Sequence, residues 1–133
     1  MDALTSNTFN IPLAPAPSLP PVCFVCNNRS RRLVTRSSNR NGNAGRPYHK
    51  CTNCQKFLGF ADLRGNSPDN PPCYCSESSK AQVTGENGGS PGRLHYVCRL
   101  GTCDYYAERV DQENEQVRFS RDVVDRLARL GLV

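Results

Sequence analysis

The residues of this chain whose type and spacing could do chemistry are its eight cysteines. They fall into two sets of four: Cys23, Cys26, Cys51 and Cys54, then Cys73, Cys75, Cys98 and Cys103. The spacings are C-x2-C-x24-C-x2-C and C-x-C-x22-C-x4-C. Thiolates are soft ligands, and four around one ion satisfy tetrahedral zinc. A close pair on one turn aims two thiolates at the same ion, and the long gap only has to close a loop. The C-x-C pair would be weak evidence alone; the parallel layout of the two sets makes it credible. Two Zn2+ ions are therefore expected. Both are expected to be structural, because four thiolates leave no open position for a catalytic water. Iron is compatible with the same ligands, but nothing else in the chain points to redox work.

The two histidines do not repeat their place. His49 lies two residues before the third cysteine of its set and His95 three before its own, so both are read as strand or surface residues. No nucleophile-and-base set and no phosphate loop is present. No enzymatic activity and no small-molecule substrate are expected.

Disulfides are the rival account of the cysteines, and they need an oxidising compartment. Residues 1–21 carry no Lys or Arg and no long apolar run, and five prolines fall between Pro12 and Pro21. A secretory leader is therefore not expected in this segment. No stretch approaches the roughly 20 apolar residues of a membrane span. Metal is preferred to disulfides, no membrane partner is expected, and the protein is read as intracellular. The cluster Arg29-Ser30-Arg31-Arg32 points to the nucleus.

The elements that must position these ligands come in a repeat. GRPYHKC (Gly45 to Cys51) recurs as GRLHYVC (Gly92 to Cys98), 47 residues later. Repeated units near 40 residues rarely bury enough apolar surface to fold unaided, and a metal supplies the difference. The predicted fold is small, metal-stabilised and mainly β: two tandem zinc ribbons with a short C-terminal helix. The expected division is a disordered Pro-rich tail (1–20), ribbon one (21–65), a linker (66–72), ribbon two (73–112) and an amphipathic helix region (113–133). Strands are predicted at 33–35, 46–51 and 57–61, then at 81–84, 93–98 and 105–108. Residues 36–45 and 86–92 read as loops rich in Ser, Asn and Gly. Ser120 is the predicted helix cap, with Val123, Val124, Leu127 and Leu130 at helical spacing and Gly131 as the stop.

Charge is divided unevenly. Residues 27–65 hold nine basic residues against one acid, Asp62, a surplus of eight. Residues 69–133 hold eight basic and ten acidic, a deficit of two. A concentrated positive field argues for an anionic partner, most often nucleic acid. Seven of the nine are Arg, which makes bidentate bonds to phosphate and stacks on rings.

With the Gly-Arg step in place, the chain resembles the GRF-type zinc finger family and small fungal proteins with GRF-like zinc ribbons. The residues that carry the resemblance are Gly45-Arg46, Tyr48 and Phe57 in the first unit, and Gly92-Arg93, Tyr96 and Tyr105-Tyr106 in the second, each among its four cysteines. The resemblance implies modules that accompany DNA-repair enzymes and bind single-stranded DNA on a concave basic surface. It also implies that Arg46 and Arg93 lie near nucleic acid, and that Tyr48 and the following aromatics stack on bases or pack the core.

The resulting expectation is a zinc-binding protein that holds single-stranded DNA or RNA. Arg31, Arg32, Arg36, Arg40, Arg46 and Lys50 are expected at phosphates, Arg46 and Tyr48 nearest the bases, and Arg93 as the counterpart in ribbon two. The alternative is an adaptor that binds a protein partner through the second ribbon and the helix. Arginines lining one face favour the first reading, and arginines spread around the module favour the second.

Overall fold

A computed structural model describes residues 12–38, 42–85 and 91–133. Strands β1 (Ser30–Val34), β2 (Pro47–Cys51) and β3 (Phe57–Phe60) form one antiparallel sheet in that order. Strands β4 (Lys80–Val83), β5 (Leu94–Val97) and β6 (Tyr106–Glu108) form a second sheet of the same order. Helix α1 (Arg121–Arg129) follows. This is the predicted architecture of two tandem ribbons and a C-terminal helix. Arg40 and residues 86–90 of the second loop lie outside the described residues.

Each ribbon opens on a tight turn that carries its first cysteine pair. In ribbon one the amide of Asn27 closes the turn on the Cys23 carbonyl (2.9 Å), and Asn27 takes the left-handed φ of 63°. In ribbon two the amide of Ser76 closes on Cys73 (3.0 Å), with φ 64° at Ser76. The second turn is one residue tighter, which is how C-x-C does the work of C-x2-C. The Gly-Arg step has a backbone reason. Gly92 has φ +85°, and a Cβ there would run into the carbonyl oxygen of Phe119, whose own amide bonds Gly92 (2.9 Å).

The two cores differ in kind. That of ribbon one is Cys23, Cys51 and Leu58, with Phe24 and Cys26 at its edge. So few apolar atoms leave the metal site as the main source of stability. Ribbon two buries Ala81, Leu94 and Tyr96 under Val133, with Val117, Phe119, Leu127 and Ala128 packed around them. Helix α1 thus covers one face of the second sheet. Ser120 caps it through the Val123 amide, Asp122 sits in the first turn, and Arg126 and Arg129 sit in the last.

Residues 66–72, read as a linker, are instead a pinned junction. Asn66 is fully buried. Its side-chain amide donates to the carbonyls of Ala14 (3.0 Å) and Asp62 (3.1 Å), and its Oδ1 accepts from Lys80 Nζ (3.1 Å). The amide of Ala81 bonds the Gly65 carbonyl (2.7 Å). The tail is also held over part of its length. The Ala14 amide donates to Asn66 (2.6 Å), and Arg99 Nη1 donates to the Pro15 carbonyl (2.6 Å). The N–H groups that the prolines lack are not needed for this, because the segment is held mainly through its carbonyls.

Lys80, wholly buried, bridges the ribbons through Asp62 Oδ1 (2.9 Å). Burial depresses its pKa to about 8, against the attraction of Asp62. The unfolded chain therefore binds this proton more tightly than the folded one. The cost of burying the ammonium is present at neutral pH and fades as pH rises from about 8 toward the ordinary lysine value. Relative to Lys80→Met, the wild type should gain stability over that interval. Urea unfolding at pH 7.5 and pH 9.5 checks this, and an unchanged difference between the two proteins would reject it.

Candidate metal centres and nucleic-acid interface

In each ribbon the hairpin between its second and third strands carries the last two cysteines to the opening turn. Within each quartet all four Sγ atoms lie within 4.8 Å of one another. Cys23 and Cys54 are 3.7 Å apart, Cys26 and Cys51 3.4 Å, and Cys73 and Cys98 3.8 Å. Metal–sulfur bonds of about 2.3 Å make the edge of a tetrahedron about 3.8 Å. The spacing fits, and all eight thiols are free. The two clusters hold two structural zinc ions.

The thiols also show why a cation belongs there. Hydrogen bonds from the Asn28 side chain and backbone lower Cys26 to about 5. Burial raises Cys98, but bonds from the Thr102 amide and hydroxyl outweigh it and bring the thiol to about 6. Their neighbours go the other way. The Lys56 amide favours the Cys54 thiolate, yet burial and the three other thiols push it up to about 11. Burial pushes Cys103 to about 12, with Cys75 and Cys98 adding to it. Four thiolates do not coexist without a positive charge among them. Burial lowers the pKa of both His49 and His95, and neither joins a cluster.

Pairing across the first sheet assembles a second feature. Residues opposite one another share a face. Arg31 pairs with Lys50 and Lys50 with Phe57; Leu33 pairs with Tyr48 and Tyr48 with Phe60. One face thus carries Tyr48, Phe57 and Phe60 beside Arg31 and Lys50. The three rings form a cluster with centroids 5.1 to 6.5 Å apart. Phe57 is 45% exposed. A register shift at His49/Lys50 makes this possible, because it brings Phe57 and Phe60, three residues apart, to the same side.

The remaining predicted contacts are distributed differently. Arg32 pairs with His49 on the opposite face. Arg36 is exposed beyond the end of β1. Arg46 is turned inward and only 5% exposed. Its Nε and Nη2 clamp Asp62 (2.6 and 2.9 Å), its Nη1 donates to Asn43 (3.0 Å), and its guanidinium lies 3.9 Å from the centre of the Phe60 ring. Burial tends to raise the Asp62 pKa, but Arg46 and Lys80 hold the carboxyl at about 2. In this structure Arg46 supports the aromatic face from beneath. Arg93 is half-buried, and its buried Nε has no partner among the described residues. The place of Tyr48 in the first repeat is taken in the second by His95, which stacks on Tyr106 at 5.0 Å. Glu108 pairs with His95 where Phe60 pairs with Tyr48, and Val97 stands where Lys50 does. Ribbon two thus keeps part of the aromatic face and loses its charge.

Residues 20–64 match the sequence model of the GRF-like zinc ribbon domain. No curated protein matches the chain in sequence. Among solved structures, the tandem zinc finger GRF domains of human NEIL3 align with 65% of this chain and 94% of their own length, at 23% identity. The TM-score is 0.28, too small an overlap in space to bear on function. No helix among the described residues is long and apolar enough to cross a membrane.

Proposed function

We propose that this protein, whose residues 20–64 match the GRF-like zinc ribbon domain, binds single-stranded DNA or RNA on the aromatic face of its first ribbon and acts in the nucleus without catalysing a reaction. The observation that carries the reading is the half-exposed cluster of Tyr48, Phe57 and Phe60 flanked by Arg31 and Lys50. Bases of any sequence stack on aromatic rings, and the flanking cations follow the phosphates. A duplex hides the faces of its bases, so single strands are preferred. Arg46 and Asp62 are positioning residues: they fix the Phe60 ring and take no phosphate themselves.

Fluorescence anisotropy with labelled single-stranded and duplex oligonucleotides, at several salt concentrations, tests this. Phe57→Ala should weaken single-strand binding about 5- to 150-fold, the equivalent of about 1–3 kcal/mol per stacked base. It should leave zinc content and folding unchanged, since the ring is half in solvent. Arg31→Ala and Lys50→Ala should each flatten the salt dependence by about one phosphate contact. Arg32→Ala, on the other face, should change it less. Equal binding of duplex and single strand, or an inert Phe57→Ala, would sink the reading.

The placement of Arg31 and Arg32 on opposite faces favours a second reading, an adaptor for a protein partner. Exposed Val22 and Val25 beside the first cysteine pair, Val123 on α1 and Leu130 at its C-cap would serve it. Absence of strand binding at low salt would transfer the function to that surface.

A further inference from the structure

Beside the aromatic face a cleft of about 330 Å3 opens between the two ribbons and α1. Its walls include Phe60 and Arg64 from ribbon one, Gln82 from β4, and Val124, Ala128 and Arg129 from the helix. Ribbon one alone would not form it. Phe60 belongs both to this wall and to the ring cluster, so the cleft continues the surface proposed for the strand. Its volume is at the lower end of small-ligand pockets, about 300–1,000 Å3.

Three features define what fits. First, the buried Nε2 of Gln82 has no hydrogen-bond partner among the described residues. An unpaired buried donor is costly, and an acceptor on a ligand would relieve it. Second, the wall is charged: Arg64 donates to the main-chain oxygens of Val133 (2.9 Å), the last residue of the sequence, and Gly42 (3.1 Å). Burial and the nearby charge of Arg46 both depress its pKa, with Asp62 only partly offsetting them. Arg129, exposed at the end of the helix, is the lining cation open to an anion; Arg46, held by Asp62, and Asp125 are the other charged side chains of the wall. Third, Phe60, Val124 and Ala128 offer apolar wall. A group that is flat and apolar, carries hydrogen-bond acceptors on its edge, and bears an anion meets all three.

We propose that this cleft takes one nucleotide of the bound strand, its base between Phe60 and the helix with an edge acceptor at Gln82, and its phosphate at Arg129. The proposal rests on the reading of ribbon one as a single-strand binder, but it assigns ribbon two and α1 a part that reading does not: they close a pocket for one unit of the chain. A strand crossing the rings and entering the cleft would be held at one defined position.

The test is an NMR titration of the zinc-loaded full chain with deoxyadenosine monophosphate, beside deoxyadenosine and deoxyribose 5-phosphate. The mononucleotide should shift the Gln82 side-chain amide and the backbone amides of Val124 and Arg129, and each partial ligand should bind at least fivefold more weakly. Gln82→Leu should weaken the mononucleotide severalfold. Absence of shifts at these residues, or shifts confined to Tyr48, Lys50 and Phe57, would overturn the cleft. A second arm uses strands. Val124→Trp, which fills the cleft from the half-exposed side of the helix, should lower strand affinity at least threefold with an unchanged salt slope. Arg129→Gln, at an exposed position, should lower both. Strand binding that survives Val124→Trp and Arg129→Gln unaltered rejects the cleft and leaves the aromatic face standing. Loss of strand binding in the wild type rejects the face, and the mononucleotide then decides the cleft by itself.

Discussion

Replacement of Cys51 by serine is expected to unfold ribbon one and to lower the bound zinc from two ions per chain to one. Cys51 is 1% exposed and joins β2 to the metal centre. Its sulfur accepts from the amides of Asn53 (3.3 Å) and Cys54 (3.4 Å), so the same atom also holds the second turn in shape. A serine hydroxyl does not replace a thiolate at zinc. Structural zinc contributes about 10–16 kcal/mol in small fingers, comparable to the whole stability of a domain, about 5–15 kcal/mol. The apolar remainder of this core is essentially Leu58, with Phe24 at its margin. Elemental analysis should find one ion, and the amide NMR signals of residues 22–60 should lose their dispersion. Cys98→Ser should also cost one ion, but with less structural damage, because Ala81, Leu94 and Tyr96 keep the cover of α1 and Val133. Retention of a dispersed ribbon one in Cys51→Ser would show that the metal is not its main support.

Asp62→Asn is expected to destabilise the fold by about 3–5 kcal/mol, the cost of leaving a buried charge without its partner. Two cations depend on this carboxylate. Arg46 is 5% exposed and Lys80 is fully buried, and they reach it from different ribbons. Asparagine keeps the shape and removes the charge, so the loss reports electrostatics and not packing. The carboxyl is held at about 2, below its unfolded value near 4, so its contribution is fully present above pH 4 and is lost as pH falls through 2. Urea unfolding of zinc-loaded protein at pH 7 measures the effect. Adding Lys80→Met to Asp62→Asn should restore part of the loss, since one stranded cation is gone. The single variant should also loosen Phe60, through Arg46, and weaken strand binding. A cost below about 1 kcal/mol, or strictly additive effects of the two substitutions, would show the junction to be solvated and unimportant.

Much of this protein was legible in the order of its residues. Paired cysteines at short spacing demand turns, and two quartets demand two ions, whatever lies between them. The repeated Gly-Arg step stands just before β2 and β5, and its glycines, Gly45 and Gly92, both take the positive φ that suits glycine. Ser120, the apolar spacing and Gly131 marked α1 almost to the residue, since caps and periodicity are local properties of a helix. Charge counting located the positive field in ribbon one, because net charge depends on composition and not on conformation.

Only the tertiary structure decided where the charges and rings point. Arg31 and Arg32 are adjacent, so strand alternation sends them to opposite faces. Phe57 and Phe60 share a face only because the pairing shifts at Lys50, and no local pattern announces that shift. The family resemblance implies that Arg46 lies near nucleic acid, and only the fold shows that Asp62, 16 residues away, holds it beneath Phe60. The junction at Asn66, Lys80 and Ala14 looked like spacer because its composition is that of a loop. Its hydrogen bonds join residues up to 52 positions apart, and partners that distant are chosen by how the two sheets pack, which no single stretch of sequence encodes.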